Sequence, residues 1–81
     1  MSVQQTSPII KTRDAERSRA VILTAALEEF ALFGLGGARI DRIAERSNLN
    51  KRLIYYYFTD KDQLFQAVLE SAYEQIRERE K

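Results

Sequence analysis

Apolar residues along this chain recur in steps of three and four, and no stretch alternates in twos as a half-buried strand would. Ile22, Leu23, Ala26, Leu27, Phe30 and Phe33 fall on one stripe and predict a helix over about residues 14–33. Thr12 is placed to cap it, and Asp14 and Glu16 suit its positive N-terminal end. Gly34 is expected to stop it, with Gly34-Leu35-Gly36-Gly37 as a loop. Ile40, Ile43, Ala44 and Ser47 form a second, shorter stripe. Asn48 follows as the turn residue, because asparagine tolerates the left-handed conformation, and Asn50 is a good N-cap for a third helix over about residues 51–57. Asp60-x-x-Gln63 resembles a capping box, with Thr59 as a rival cap. It opens a fourth helix whose stripe is Leu64, Phe65, Val68, Leu69, Ala72, Tyr73 and Ile76.

The expected fold is therefore all-α: a helix-turn-helix three-helix bundle plus the start of a fourth, linking helix. Residues 1–13 are polar, hold the only proline and read as a flexible N-terminal arm, with Lys11 and Arg13 at its end near any phosphates. Residues 14–74 form the domain, with the helix-turn-helix at 39–58. Residues 75–81 are the charged, frayed end of the fourth helix.

Composition changes this picture mainly by subtraction. The 81 residues suffice for one small domain with a thin core. There is no cysteine and no histidine, which removes thiolate and imidazole metal ligands and the commonest general base. No catalytic constellation can be assembled from what remains: Asp60 and Asp62 read as helix-start charges. No cofactor or metal site is expected. No apolar run is read as long enough to span a membrane, Met1–Ile10 does not have the form of a secretory signal, and a cytoplasmic location follows.

The net charge of +1 hides an uneven distribution. Between residues 38 and 61 stand six basic groups (Arg39, Arg42, Arg46, Lys51, Arg52, Lys61) against three acidic ones (Asp41, Glu45, Asp60). A local positive excess fits a polyanion-binding face, although solvated surface charge produces the same count.

Two short helices joined by a tight turn, with an apolar spine of Ile40, Ile43, Ala44, Leu49, Ile54 and Phe58, make the helix-turn-helix plan, in which the second helix enters the major groove. With Ile54 turned inward and 100° per residue, Arg52 and Tyr56 point outward, Leu53 and Tyr55 flank them, and Lys51 and Tyr57 lie nearer the core edge. Arginine pairs bidentately with guanine, and tyrosine reaches thymine methyls, sugars or phosphates. The competing reading makes Tyr55, Tyr56 and Tyr57 core or interface aromatics. A helical module that docks a protein through its tyrosines is the rival hypothesis, and it predicts no affinity for duplex DNA.

Residues about 17–70 also resemble the N-terminal domain of TetR-family (TetR/AcrR) transcriptional regulators. The resemblance rests on Ile22-Leu23-x-Ala25-Ala26, Phe30-x-x-x-Gly34, Ile43-Ala44, Leu49-Asn50-Lys51, Ile54-Tyr55-Tyr56-Tyr57-Phe58 and Lys61-Asp62-x-Leu64-Phe65. It implies a sequence-specific DNA-binding regulator, usually a ligand-responsive repressor and not an enzyme. Its partners would be a double-stranded operator, a second copy in a homodimer, and a small-molecule inducer bound by a C-terminal domain absent from this chain. The implied DNA-binding residues are Arg39, Lys51, Arg52, Leu53, Tyr55, Tyr56, Tyr57 and Lys61. Lys61 matches the family lysine whose ammonium joins a helix N-terminus on a phosphate. The chain departs from the pattern at Ser47-Asn48-Leu49, where Ala-Gly-Val is usual. Ala38-Arg39 replaces paired hydroxyl residues, Leu53 a small polar residue, and Tyr57 the frequent histidine while keeping a hydroxyl for phosphate.

Overall fold

The structure is a computed structural model that describes residues 12–79, and the expected arm at 1–13 lies almost wholly outside them. Four helices follow in order: α1 (Thr12–Gly37), α2 (Ile40–Ser47), α3 (Lys51–Tyr57) and α4 (Lys61–Arg79). Helix α1 packs against both α2 and α4, and α3 packs on α2. One core joins them. Ile22, Ile43, Ile54 and Leu64, one residue from each helix, have no exposed surface, and Ala25, Ala26, Phe30, Ala38, Phe58, Ala67 and Val68 complete the cluster. Phe30 meets the half-buried Phe65 edge-to-face at 5.0 Å, which ties α1 to α4.

The buried face of α1 is Ile22, Ala25, Ala26, Glu29 and Phe30, a regular i, i+3, i+4, i+7, i+8 set. It is rotated from the expected stripe: Leu27 and Phe33 are half exposed, and Ala25 and Glu29 take the interior places. The reason is chemical. A glutamate is not read as a core residue, yet here it is one. Helix α4 is also rotated from its expected stripe, burying Leu64, Ala67 and Val68 while Leu69, Tyr73 and Ile76 stay exposed.

Gly34 breaks α1 as expected, with φ 72° and ψ 173°, a conformation open essentially to glycine alone. The three residues after it are not an open loop but continue as a further helical stretch, and the Ala38 N–H donates back to the Gly34 carbonyl at 3.0 Å. Between Asp14 and Gly37, α1 is long and apolar enough to cross a membrane by length and composition, which corrects the expectation that no run approaches that length. In this fold it is the central core helix, and it carries the buried, ion-paired Glu29.

Asn48 sits in the left-handed region at φ 58°, ψ 33°. Its N–H bonds the Glu45 carbonyl at 3.2 Å and the next N–H, of Leu49, bonds the Ala44 carbonyl at 3.1 Å. This is a Schellman closure made without glycine. Asn50 caps α3, its Oδ1 accepting the Arg52 N–H at 2.7 Å. Asp60 Oδ1 likewise accepts the Gln63 N–H at 2.9 Å and wins the cap from Thr59, while Gln63 Oε1 reaches back to the Thr59 N–H at 3.3 Å.

Candidate nucleic-acid interface

The turn geometry fixes how α3 is presented. Asn48 ends α2, Asn50 starts α3, and Ile54 anchors α3 in the core with no exposed surface. The opposite side of a seven-residue helix must then face water. Tyr56 is 70% exposed, the highest value among the large hydrophobic residues described, and Arg52 one turn before it is exposed as well. Tyr55 is about half exposed and Leu53 half buried, on the two flanks. A tyrosine left so open beside an arginine, with a leucine alongside, is an apolar and cationic surface of the kind that meets base edges and sugars.

Beside this face lies a shallow open depression lined by Arg39, Asp41, Lys51, Tyr55 and Lys61. It gathers three of the expected phosphate contacts from three elements. Arg39 is the N-cap residue of α2, Lys51 opens α3, and Lys61 opens α4. The Lys61 ammonium donates to the Ala38 carbonyl at 3.0 Å, so its position is set by the corner between α1 and α2. Lys51 is not at the core edge, as the helical wheel suggested, but exposed. Its Nζ lies 2.6 Å from Asp41 Oδ1, and Arg39 Nη2 stands 3.7 Å from the other carboxylate oxygen. The hydrogen bond and charge of Lys51, with a smaller contribution from Arg39, hold the Asp41 carboxyl below its usual range, and Asp41 raises the Lys51 ammonium in return.

Two residues behave differently from the sequence reading. The Tyr57 hydroxyl is buried and finds no hydrogen-bond partner among the described residues. Its ring stacks edge-on against Tyr56 at 5.1 Å and lies against Phe58. The expectation that it offers a hydroxyl to phosphate is therefore not met in this conformation, because the inward turn of α3 that buries Ile54 carries the neighbouring position with it. The second is Glu29, which no motif singled out. Its carboxylate has no exposed surface and accepts from Arg42 Nε at 2.5 Å, Arg46 Nε at 3.0 Å and the Arg39 backbone N–H at 3.1 Å. Burial pushes its carboxyl up, and these donors more than offset that, leaving it below the usual range. Glu29 thus docks α2 on α1 and fixes how the helix-turn-helix sits on the first helix. It also draws Arg42 and Arg46 away from the depression. An i, i+4 arginine pair on α2 was the signal that could have pointed to an acidic partner.

Comparison with known proteins places these features. Residues 22–68 match the family described as bacterial regulatory proteins, tetR family. The chain is 53% identical over 58 residues to the HTH-type transcriptional repressor SCO4008 of Streptomyces coelicolor, covering 72% of this chain and 30% of that protein. It is 39% identical over 71 residues to the HTH-type transcriptional repressor NicS of Pseudomonas putida, covering 88% and 34%. The crystal structure of the transcriptional regulator SCO4942 from Streptomyces coelicolor superposes with a TM-score of 0.72 at 41% identity, over 75% of this chain and 34% of that one. The chain thus spans about a third of the length of the relatives it matches.

Proposed function

This chain belongs to the TetR family of bacterial regulatory proteins, and from that premise we propose that it is the DNA-reading part of a transcriptional repressor whose α3 enters the major groove. One observation carries this reading: with Ile54 fully buried, Arg52 and Tyr56, two residues before and after it, stand on the opposite side of α3 and are both exposed. Arg52 reads a guanine edge and Tyr56 packs on bases and sugar. Leu53 and Tyr55 supply apolar contact at the flanks. Arg39, Lys51 and Lys61 take backbone phosphates and set the register without reading sequence. The names of the relatives describe regulators of transcription, not enzymes, and that is the class proposed here.

One seven-residue helix covers only a few base pairs, so specific binding needs two reading heads on half-sites about 34 Å apart. The full regulator is proposed to supply this as a homodimer through a C-terminal domain that also binds a small-molecule inducer, and to work in the cytoplasm where the operator lies.

The test is a titration of duplex variants selected from a random pool. Arg52→Ala is expected to cost about 1–3 kcal/mol and to relax preference at one base pair per half-site. Unchanged affinity and an unchanged preference profile would remove α3 from the groove. Failure of any duplex to bind would favour the docking of a protein on the tyrosine face.

A further inference from the structure

The depression beside α3 holds a negative charge where a DNA-binding face should hold none. Asp41 projects from the first turn of α2 into the space between Arg39 and Lys51, and all three side chains are more than half exposed. The carboxylate therefore meets the two cations in the place a phosphate would meet them, 2.6 Å from the Lys51 ammonium. Lys61 lines the same depression. We propose that Asp41 is an internal counter-anion: in the free protein it occupies the phosphate seat formed by Arg39, Lys51 and Lys61, and DNA binding is an exchange of one anion for another. The proposal rests on the reading of this face as the DNA-binding one.

The exchange has a definite physical signature. A free lysine that captures a phosphate releases the counterion condensed on the DNA, and that release makes affinity fall with salt. A lysine already paired with a carboxylate brings that negative charge to the phosphate as well, and one of the DNA's condensed cations stays at the site. One released ion is thereby cancelled. Asp41 also repels the incoming phosphate, whatever the base sequence beneath it. Asp41 accordingly lowers affinity and flattens the salt dependence for all sequences alike, and leaves base preference where α3 sets it.

The experiment compares the protein with Asp41→Asn on a mixed-sequence duplex across a salt series, then on a set of sequence variants. Asp41→Asn is expected to bind about fivefold more tightly, the factor for one unit charge a few ångström from a phosphate in water. The log–log salt slope should steepen by about 0.9, the value for one phosphate. In a Lys51→Gln background the gain should shrink, because the masked cation is gone. Asp41 also stabilises the start of α2 as a helix-end charge, and if that were its whole role the variant would melt earlier and bind no better. An unchanged slope and affinity would overturn the proposal, as would a change confined to particular base pairs, which would make Asp41 a base reader. If neither protein binds duplex DNA, the reading of the face falls and the proposal with it. Binding by both with one common slope sinks the proposal alone.

Discussion

Replacing Glu29 by glutamine keeps the shape of the side chain and removes its charge, which isolates what the buried carboxylate contributes. Taking one partner out of a buried ion pair typically costs 3–5 kcal/mol, because the other charge is left unpaired. Here Arg42 and Arg46 remain 36% and 28% exposed and can recover water. In a domain this small solvent is also near even where it does not touch. The expected loss is therefore about 1–3 kcal/mol. Each kcal/mol lowers the melting temperature of a domain this size by roughly 4–8 °C. The pH dependence gives a sharper readout. The Glu29 carboxyl is held low in the folded state, so its contribution is complete above the ordinary carboxylate range and fades as the pH falls through its folded value. Thermal melts of parent and Glu29→Gln across pH should differ most at neutral pH and converge in acid. A difference independent of pH, or none at all, would mean that Glu29 acts by packing and that α2 is not held by charge.

Ile54→Ala, at the root of the reading helix, should cost about 2–5 kcal/mol in a denaturant titration, and coincident curves would show the α3 register to be wrong. Gly34→Ala forces a side chain into a region that only glycine enters freely and should cost about 1–3 kcal/mol by thermal melt. Tyr57→Phe removes a buried, unpartnered hydroxyl and should leave stability unchanged or raise it by up to about 1–3 kcal/mol, with duplex affinity unaltered; a loss of affinity would mean that the hydroxyl turns out to phosphate on binding.

The parts of this fold that were legible in the sequence are those set by single residues with one local job. Asn48 in the left-handed turn, Asn50 as a cap, Gly34 as a break and Asp60 as the start of α4 each follow from backbone chemistry that acts within a few positions. The spine of Ile43, Ile54 and Phe58 was legible because apolar residues at helical spacing must turn to the interior, and these are the ones the cluster buries. What depended on partners distant in sequence was not. Glu29 is 10–17 residues from its three donors, and only the packing of α2 across α1 brings them together. The burial of the Tyr57 hydroxyl has the same origin. A helical wheel gives an azimuth, but depth depends on how far the whole helix sinks, and α3 sinks enough to close over that oxygen.

Charge is where this difference has the largest functional consequence. Six cations between residues 38 and 61 read in sequence as one basic stretch. The fold divides them by partner: Arg42 and Arg46 go to Glu29, Arg39 and Lys51 share Asp41, and Lys61 holds the Ala38 carbonyl. Among the described residues only the Arg52 guanidinium of the six has no such acceptor, and its side chain is exposed. On the proposed reading Arg52 would reach a base edge without giving up a contact, whereas Lys51 would have to trade one anion for another. Salt dependence should report this partition. Six unpaired cations on phosphates would give a slope of about −5 per reading head at about −0.9 each. Phosphate contacts from Arg39, Lys51 and Lys61, with one offset by Asp41, give about −2 instead. A measured slope of about −4 per head would mean that Arg42 and Arg46 leave Glu29 when DNA binds and add two phosphate contacts, and that the angle of α2 is reset in the complex.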